Sequence, residues 1–483
     1  MTRPADGQLQ PVGLPRQDLA AATVGIEPVP PRFRVLGFID YAVLWADLGV
    51  GLLVLLAGSL LAPGLGFLPA CAAIILGTLA GTLLLALAGT VGSDHGIPSM
   101  VTLRPSFGIR GSYLPSLVNA IQLVGWAAFE LNIMGRASEE ITAPFVGQGS
   151  YPLWVLLWGA LVVAMALGGP LVVIRQWLEK AGIWIVLGTV SWIAFWVVTH
   201  QDVAAAVARP GDGSLTFAQG VDLVVAMPVS WLPLVADYNR FARRSSSAFW
   251  GTFLGFAMAN AAFYALGALL VLVLPTGDLI SAILSVAFGA AGLALLLGDE
   301  TDNAFADVYS TAISLKNVVP AWPTSWLVVG AGASALVIAL TVDLTRYQGF
   351  LYLIGSLFTP LFGVLFADYF LLRRRKYDAA SLYGEASRRG GRRGEGTADG
   401  DRAVEVAPDG DRRDEDGPQR GRPHGGSPAF ALAAWLGGAL VYLAVVSALP
   451  WLGGTLPSLA ASLVLYLVFR GLQALVVDRH RAR

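Results

Sequence analysis

Runs of about twenty apolar residues recur along the whole chain. They limit it more than any motif does, because hydrocarbon about 30 Å thick takes roughly 20 residues of helix to cross. Twelve such segments are legible, at approximately 38–62, 66–91, 112–136, 151–173, 181–199, 219–239, 248–274, 284–316, 324–342, 347–372, 428–449 and 454–476. The chain is 55% hydrophobic and only 13% charged, too few charges to coat soluble domains built from 483 residues. The expected fold is therefore all-α and integral to the membrane, with twelve transmembrane helices.

Lys and Arg set the orientation, since basic residues near span ends stay on the cytoplasmic side during insertion. With the N-terminus inside, only Arg136, Arg209 and Arg346 of the 32 basic residues fall outside. Both termini are expected in the cytoplasm, and the membrane is expected to be the plasma (inner) membrane. Residues 1–35 form a polar, proline-rich tail without the apolar core of a cleavable signal peptide, so the first span is expected to do the targeting. The single cysteine, Cys71, lies in span two and permits no intrachain disulfide.

After Arg373 the composition changes to Arg, Gly, Asp and Glu, with almost nothing to bury. The reading is a disordered cytoplasmic linker over 373–427, passive in the main, with acidic and basic residues nearly in balance. It divides a ten-helix core at 36–372 from two C-terminal helices at 428–477 and a short tail at 478–483.

Two of the first ten spans carry interruptions. WADLGVG in span one places Asp47, Gly49 and Gly51 near mid-membrane, and MPVSWLP in span six contains Pro228 and Pro233, each lacking a backbone donor. One is the first of five spans and the other the sixth of ten. Broken helices one and six at matching positions point to a five-plus-five inverted-repeat transporter core with its site at the midplane. The plainer reading is a pair of ordinary kinks in a packed bundle.

Span three carries the sharpest chemical signal. At 100° per residue, Asn119, Gln122, Trp126 and Glu130 fall within roughly 80° of arc, a polar stripe with an aromatic in it. Asn132 lies on the far side, as a helix-to-helix hydrogen bonder. An unpaired carboxylate in hydrocarbon costs at least a few kcal/mol, so Glu130 needs a cavity, a partner or a proton. The alternative puts it at the outer end of its helix, reaching headgroup water or Arg136.

Span eight contains GDETDNAFADVYSTAISLKN, residues 298–317. As a helix it gathers Asp299, Asp302, Asn303, Ser310 and Asn317 on one side, with Glu300 and Asp307 at the margin and apolar residues opposite. Such a helix suits a water-filled pathway, and its oxygen ligands suit a hard cation or a proton relay. The competing reading makes the acidic string an exposed loop. The histidines, His95 and His200 in loops and His424 and His480 in tails, are expected to be solvated and inert. No Walker loop, CxxC pair or nucleophile-base pattern is present, which argues against ATP-driven transport by this chain alone.

Several strings together resemble the nucleobase:cation symporter family, which includes cytosine, purine and hydantoin permeases. They are GIEPVPPRFRVLGFIDYAVLW, HGIPSMVTLRPSFGIRGSYLP, GWAAFE, ADYNRFARR and NAFADVYSTAISLKN, and the likeness covers residues 25–375. The resemblance implies twelve spans, an inverted-repeat core, and cation-driven uptake of a flat heterocycle by a permease. It implies that Trp126 stacks on the ring, that Glu130 grips its edge, and that Trp231 supplies a second aromatic; Gln122 and Asn303 complete the expected substrate set. Hydantoin-type members look to have an amide where this chain has Glu130, and an ionised carboxylate only accepts, which favours an edge rich in N–H groups. Cytosine or a related aminopyrimidine fits, as does the thiamine precursor hydroxymethylpyrimidine, whose permease branch the span-eight string looks closest to; a purine or allantoin-type substrate is the further alternative. For the cation, the resemblance implies carbonyls at Ala46 and Gly49 with Thr301. The hydroxyl pair of sodium-coupled relatives is not reproduced in GDETDN, which leaves H+ coupling through Asp302 or Glu130 open beside Na+.

The expectation is thus a secondary symporter working by alternating access, with a small heterocyclic base and the lipid bilayer as partners. No nucleic acid, no cofactor beyond the coupling ion and no obligate protein partner is expected. The competitors are an intramembrane metal-dependent prenyltransferase, suggested by the Asp-x-x-Asp spacing of 299–302, and a passive channel. The topology has a direct check: green fluorescent protein fused after Arg483 should fluoresce and alkaline phosphatase fused there should be inactive, whereas the reverse pattern would invert the orientation.

Overall fold

A computed structural model describes residues 25–168, 182–274, 276, 278–341, 343–384 and 427–481. The N-terminal tail before residue 25, the link between spans four and five with Arg175 and Lys180, most of the 373–427 linker, and the last two residues lie outside these. Among the described residues there are helices and no strand. Each of the twelve expected segments is helical over its described residues, spans one and six in separate pieces. Among the described residues seven helices are long and apolar enough to cross a membrane, and the bent pair Phe38–Asp47 and Leu52–Leu65 passes the same test taken together. Spans five, six and nine are shorter apolar helices, Trp184–His200, Phe217–Ser230 and Thr324–Ala339.

Span eight, helix Gly289–Val318, falls outside that apolar set because of its acids, yet it is continuous and packed inside. The acidic string is helix and not loop. Span three runs on past its expected end to Val146. Span two ends at His95 with Gly96 in the left-handed region at φ +70°. His95 is not solvated as expected: its ring stacks on Tyr377 at 5.3 Å and bonds to the Tyr369 hydroxyl at 3.0 Å.

Both expected interruptions are present. Span one stops at Asp47, turns through Leu48–Gly51, and resumes at Leu52 with its halves bent by 61°. Gly51 sits at φ +146°, a conformation a side chain strongly resists, and this is where the chain changes direction. Its lower half begins with Asp40 Oδ2 accepting from the Gly37 amide at 2.6 Å. Span six starts on a capping box of Thr216 and Gln219, breaks over Trp231–Leu234, and resumes as Val235–Asn239. Of its two prolines only Pro233 lies in the break. Pro228 stays within the helix, its ring seated against Gly81 of span two, where a Cβ would collide with it.

Packing separates two bodies. Spans one, two, six and seven lie against one another, and spans three, four, eight and nine form a second group. Span one approaches span seven at backbone distance: a Cβ on Gly58 would meet the Tyr264 carbonyl, and one on Gly267 the Leu55 carbonyl. Span ten packs on span six and on the final pair. Asp222 of span six ties that pair in, accepting from the amides of Gly454 at 2.5 Å and Thr455 at 3.2 Å at the start of span twelve. Residues 25–37 and 377–384 meet on one face, where the Tyr383 hydroxyl donates to the Ile26 carbonyl at 2.7 Å. We call this the terminal face.

The span one to span seven contact predicts that Gly267→Val overpacks backbone against backbone, at a cost of about 1–3 kcal/mol or more. A thermal melt of the detergent-solubilised protein should shift clearly downward; an unchanged midpoint would refute the contact.

Candidate substrate and cation sites

The two breaks face each other across a cavity of about 20 Å³, room for a single water. Span three contributes Trp126 and Glu130 to its wall, span six Ser230 and Trp231, and span eight Glu300, Asn303 and Asp307. Four of the five residues expected at the substrate are therefore together. Gln122 is not among them: its amide nitrogen, one turn toward the terminal face, donates to the Ser230 carbonyl at 3.0 Å and to Asn119 Oδ1 at 3.1 Å.

Each wall residue is held from behind. Trp126 meets Tyr347 edge-on at 5.8 Å and Phe350 at 5.3 Å between ring centroids. Trp231 meets Trp45 edge-on at 5.9 Å, and Trp45 in turn donates its Nε1–H to Asn239 at 2.9 Å. Such pairs fix ring planes beyond what burial alone does. As it stands, the cavity does not hold a planar heterocycle, so accepting one requires the walls to part.

Glu130 is 4% exposed and does not reach the membrane surface. Arg136, its alternative partner, donates instead to Asn132 at 2.8 Å, and Asn132 bridges to the Ala339 carbonyl of span nine at 3.0 Å, the helix-to-helix role expected of it. Glu130 shares the cavity wall with Asp307. Glu130 Oε2 remains without a partner, as do Trp126 Nε1 and Asn303 Oδ1. Asn303 has spent its donor on the Val50 carbonyl at 3.0 Å.

Span eight also holds the break in span one. Glu300 Oε2 accepts from the Leu52 amide at 2.6 Å, capping the resumed half-helix from a neighbouring element. On the adjacent side, carboxyl oxygens of Asp47, Asp299 and Asp302 all lie within 4.8 Å of one another. Asp299 Oδ2 and Asp302 Oδ1 lack hydrogen-bond partners, and an all-oxygen set of this kind fits a hard cation. Of the four residues expected at the cation, Asp302 belongs to this cluster and Ala46 and Gly49 flank Asp47. The Thr301 hydroxyl is turned away onto the Gly298 carbonyl at 2.6 Å.

Glu300, Asp307 and Asp47 are the residues that sequence reading undervalued. The first two were set at the margin of the polar face. The spacing 300, 303, 307 repeats the three-and-four rhythm of the span-three stripe and could have centred that face on the cavity. Asp47 was read only as a weak point in its helix, and its partners on span eight are distant in sequence.

Comparison with known proteins follows this geometry closely. A family model described as a permease for cytosine/purines, uracil, thiamine and allantoin matches residues 28–392. The hydantoin permease of Microbacterium maritypicum is 24% identical over 73% of this chain and 77% of the relative. The cytosine permease of Escherichia coli K12 is 25% identical over 66% of this chain and 74% of the relative. Among solved structures, Mhp1, a nucleobase-cation-symport-1 family transporter in a closed conformation with bromovinylhydantoin bound, superposes with a TM-score of 0.75 at 19% identity, covering 94% of this chain and 96% of that one. Its inward-facing form gives 0.69. The match fixes the fold as the five-plus-five inverted-repeat type with two added helices.

The break in span one yields a prediction of its own. A Cβ at Gly51 would lie 2.8 Å from Glu300 Oε2 at a strained φ, so Gly51→Ala should displace Leu52 from its cap and lower the apparent affinity for transported substrate at least severalfold. Uptake kinetics with wild-type KM in that variant would contradict the local geometry.

Proposed function

This chain belongs to the family of permeases for cytosine/purines, uracil, thiamine and allantoin, and from that premise we propose that it imports a pyrimidine-type base, cytosine or a related aminopyrimidine, together with a proton or a sodium ion. It is a transporter and not an enzyme.

The observation that supports the substrate class is the set of unpartnered atoms on the cavity wall. Glu130 Oε2 and Asn303 Oδ1 accept, and Trp126 Nε1 donates. Buried polar atoms without partners cost about 1–3 kcal/mol each, and a ligand that meets them recovers that cost. The exocyclic amine of an aminopyrimidine supplies two N–H donors at one corner of a flat ring. Trp126 and Trp231 would face the ring while Glu130 and Asn303 take its donors. Hydroxymethylpyrimidine carries the same amine, and the purine, allantoin and hydantoin permeases among the relatives keep N–H-rich rings open as the second reading.

The cation would lie where Asp47 meets Asp299 and Asp302, and Glu130 with Asp307 on the cavity wall gives the proton alternative a second seat. Either ion couples to the base if both favour the same conformation. The weight of Lys and Arg on the terminal face supports placing that face in the cytoplasm of a multi-pass plasma membrane protein.

Glu130→Gln should weaken binding of cytosine or hydroxymethylpyrimidine by about 1.5–3 kcal/mol with unchanged expression, and Trp126→Ala by about 1–3 kcal/mol through lost stacking. The test is competition of labelled cytosine uptake by a panel of heterocycles in proteoliposomes, with an imposed sodium or proton gradient. Normal affinity in Glu130→Gln would refute the assignment. Uptake that persists without either gradient would support a channel.

A further inference from the structure

The two packed bodies touch through hydrogen bonds that land on backbone freed by the broken helices. Toward the face opposite the termini, span eight holds span one: Glu300 accepts from the Leu52 amide at 2.6 Å, and Asn303 donates to the Val50 carbonyl at 3.0 Å. Toward the terminal face, span three holds span six: Gln122 donates to the Ser230 carbonyl at 3.0 Å, and Asn119 to the Pro233 carbonyl at 3.4 Å. The arrangement is reciprocal. The third span of each five-helix repeat grips the interrupted first span of the other, and the cavity lies between the grips.

We propose that these grips are the two latches of alternating access, with Glu300 and Gln122 as their principal positioning residues. The Glu300 latch secures the half-helix that runs from Leu52 toward a vestibule of about 290 Å³ on the far face, floored by Leu56 and Ile133. The Gln122 latch secures the stretch leading into Val235–Asn239, whose neighbour Arg240 donates to the Gly25 carbonyl at 2.8 Å on the terminal face. Both are engaged here, and the cavity between them has room for a single water. Rocking one body against the other opens a single face at a time only if one latch holds while the other releases. Because each latch ends on a main-chain group, its release costs a buried hydrogen bond, which the entering side can repay with water but the sealed side cannot.

The inference rests on transport by alternating access but not on which base is carried, and its test uses no substrate, so a failed Glu130→Gln experiment would leave it standing. Cys71 is the only cysteine. In purified full-length Cys71→Ala protein, single cysteines are placed at Ile133, 1% exposed beneath the far vestibule, and at Ser310, fully buried on the terminal side of Asp307. Maleimide labelling rates report which face is open. Glu300→Ala should speed labelling at Ile133→Cys about tenfold and slow it at Ser310→Cys, and Gln122→Ala should do the reverse. Glu300→Gln, which keeps an oxygen acceptor at the same reach, should restore the parent rates. General loosening of the fold would raise both reporters together, and that result, no change at either, or a Glu300→Gln that behaves like Glu300→Ala would overturn the proposal.

Discussion

A helix broken inside hydrocarbon leaves amides and carbonyls that no water can satisfy, and each one left alone costs several kcal/mol. This protein breaks two helices at mid-membrane and meets the freed groups with side chains from elsewhere. The bond from Glu300 to the Leu52 amide is the clearest case, and the site is built around it. The same side chains that satisfy the breaks bring spans three and eight against spans one and six, and the cavity is the space they leave.

Acids recur in this role for an electrostatic reason. The start of a helix carries unpaired amides and partial positive charge, so a carboxyl group is its natural complement. Glu300 meets the start of the upper half of span one, Asp222 the start of span twelve, and Asp237 the Ser99 amide at the short turn before span three. Each of these acids is buried, and each joins elements far apart in sequence. Glu130, Asp299 and Asp302 are different, since each keeps an oxygen without a partner and none accepts from a backbone amide. That contrast divides structural acids from those available to a ligand or an ion.

Span number, the two breaks and the Trp126–Glu130 stripe were legible because each is local: length, proline, glycine and three-and-four spacing are written within one helix. Trp231 and Asn303 were found with them on the cavity wall. The partners of these residues were not legible. Nothing near Gln122 in the sequence shows that its amide is spent on the Ser230 carbonyl, and nothing near Glu300 shows that it faces Leu52, because those pairs join residues about 100 to 250 positions apart through tertiary packing alone. Pro228 was misplaced for a similar reason. Its tolerance inside a helix depends on Gly81 in another span.

The central claim is that the unpartnered oxygens of Glu130 and Asn303 are completed by the donors of a flat ring held between the two breaks. A structure of the protein determined by electron cryomicroscopy with cytosine at saturation tests it most directly. The account expects the ring to lie between Trp126 and Trp231 with its amine on Glu130. Density for the base elsewhere, or a Glu130 side chain turned away from an occupied cavity, would contradict it.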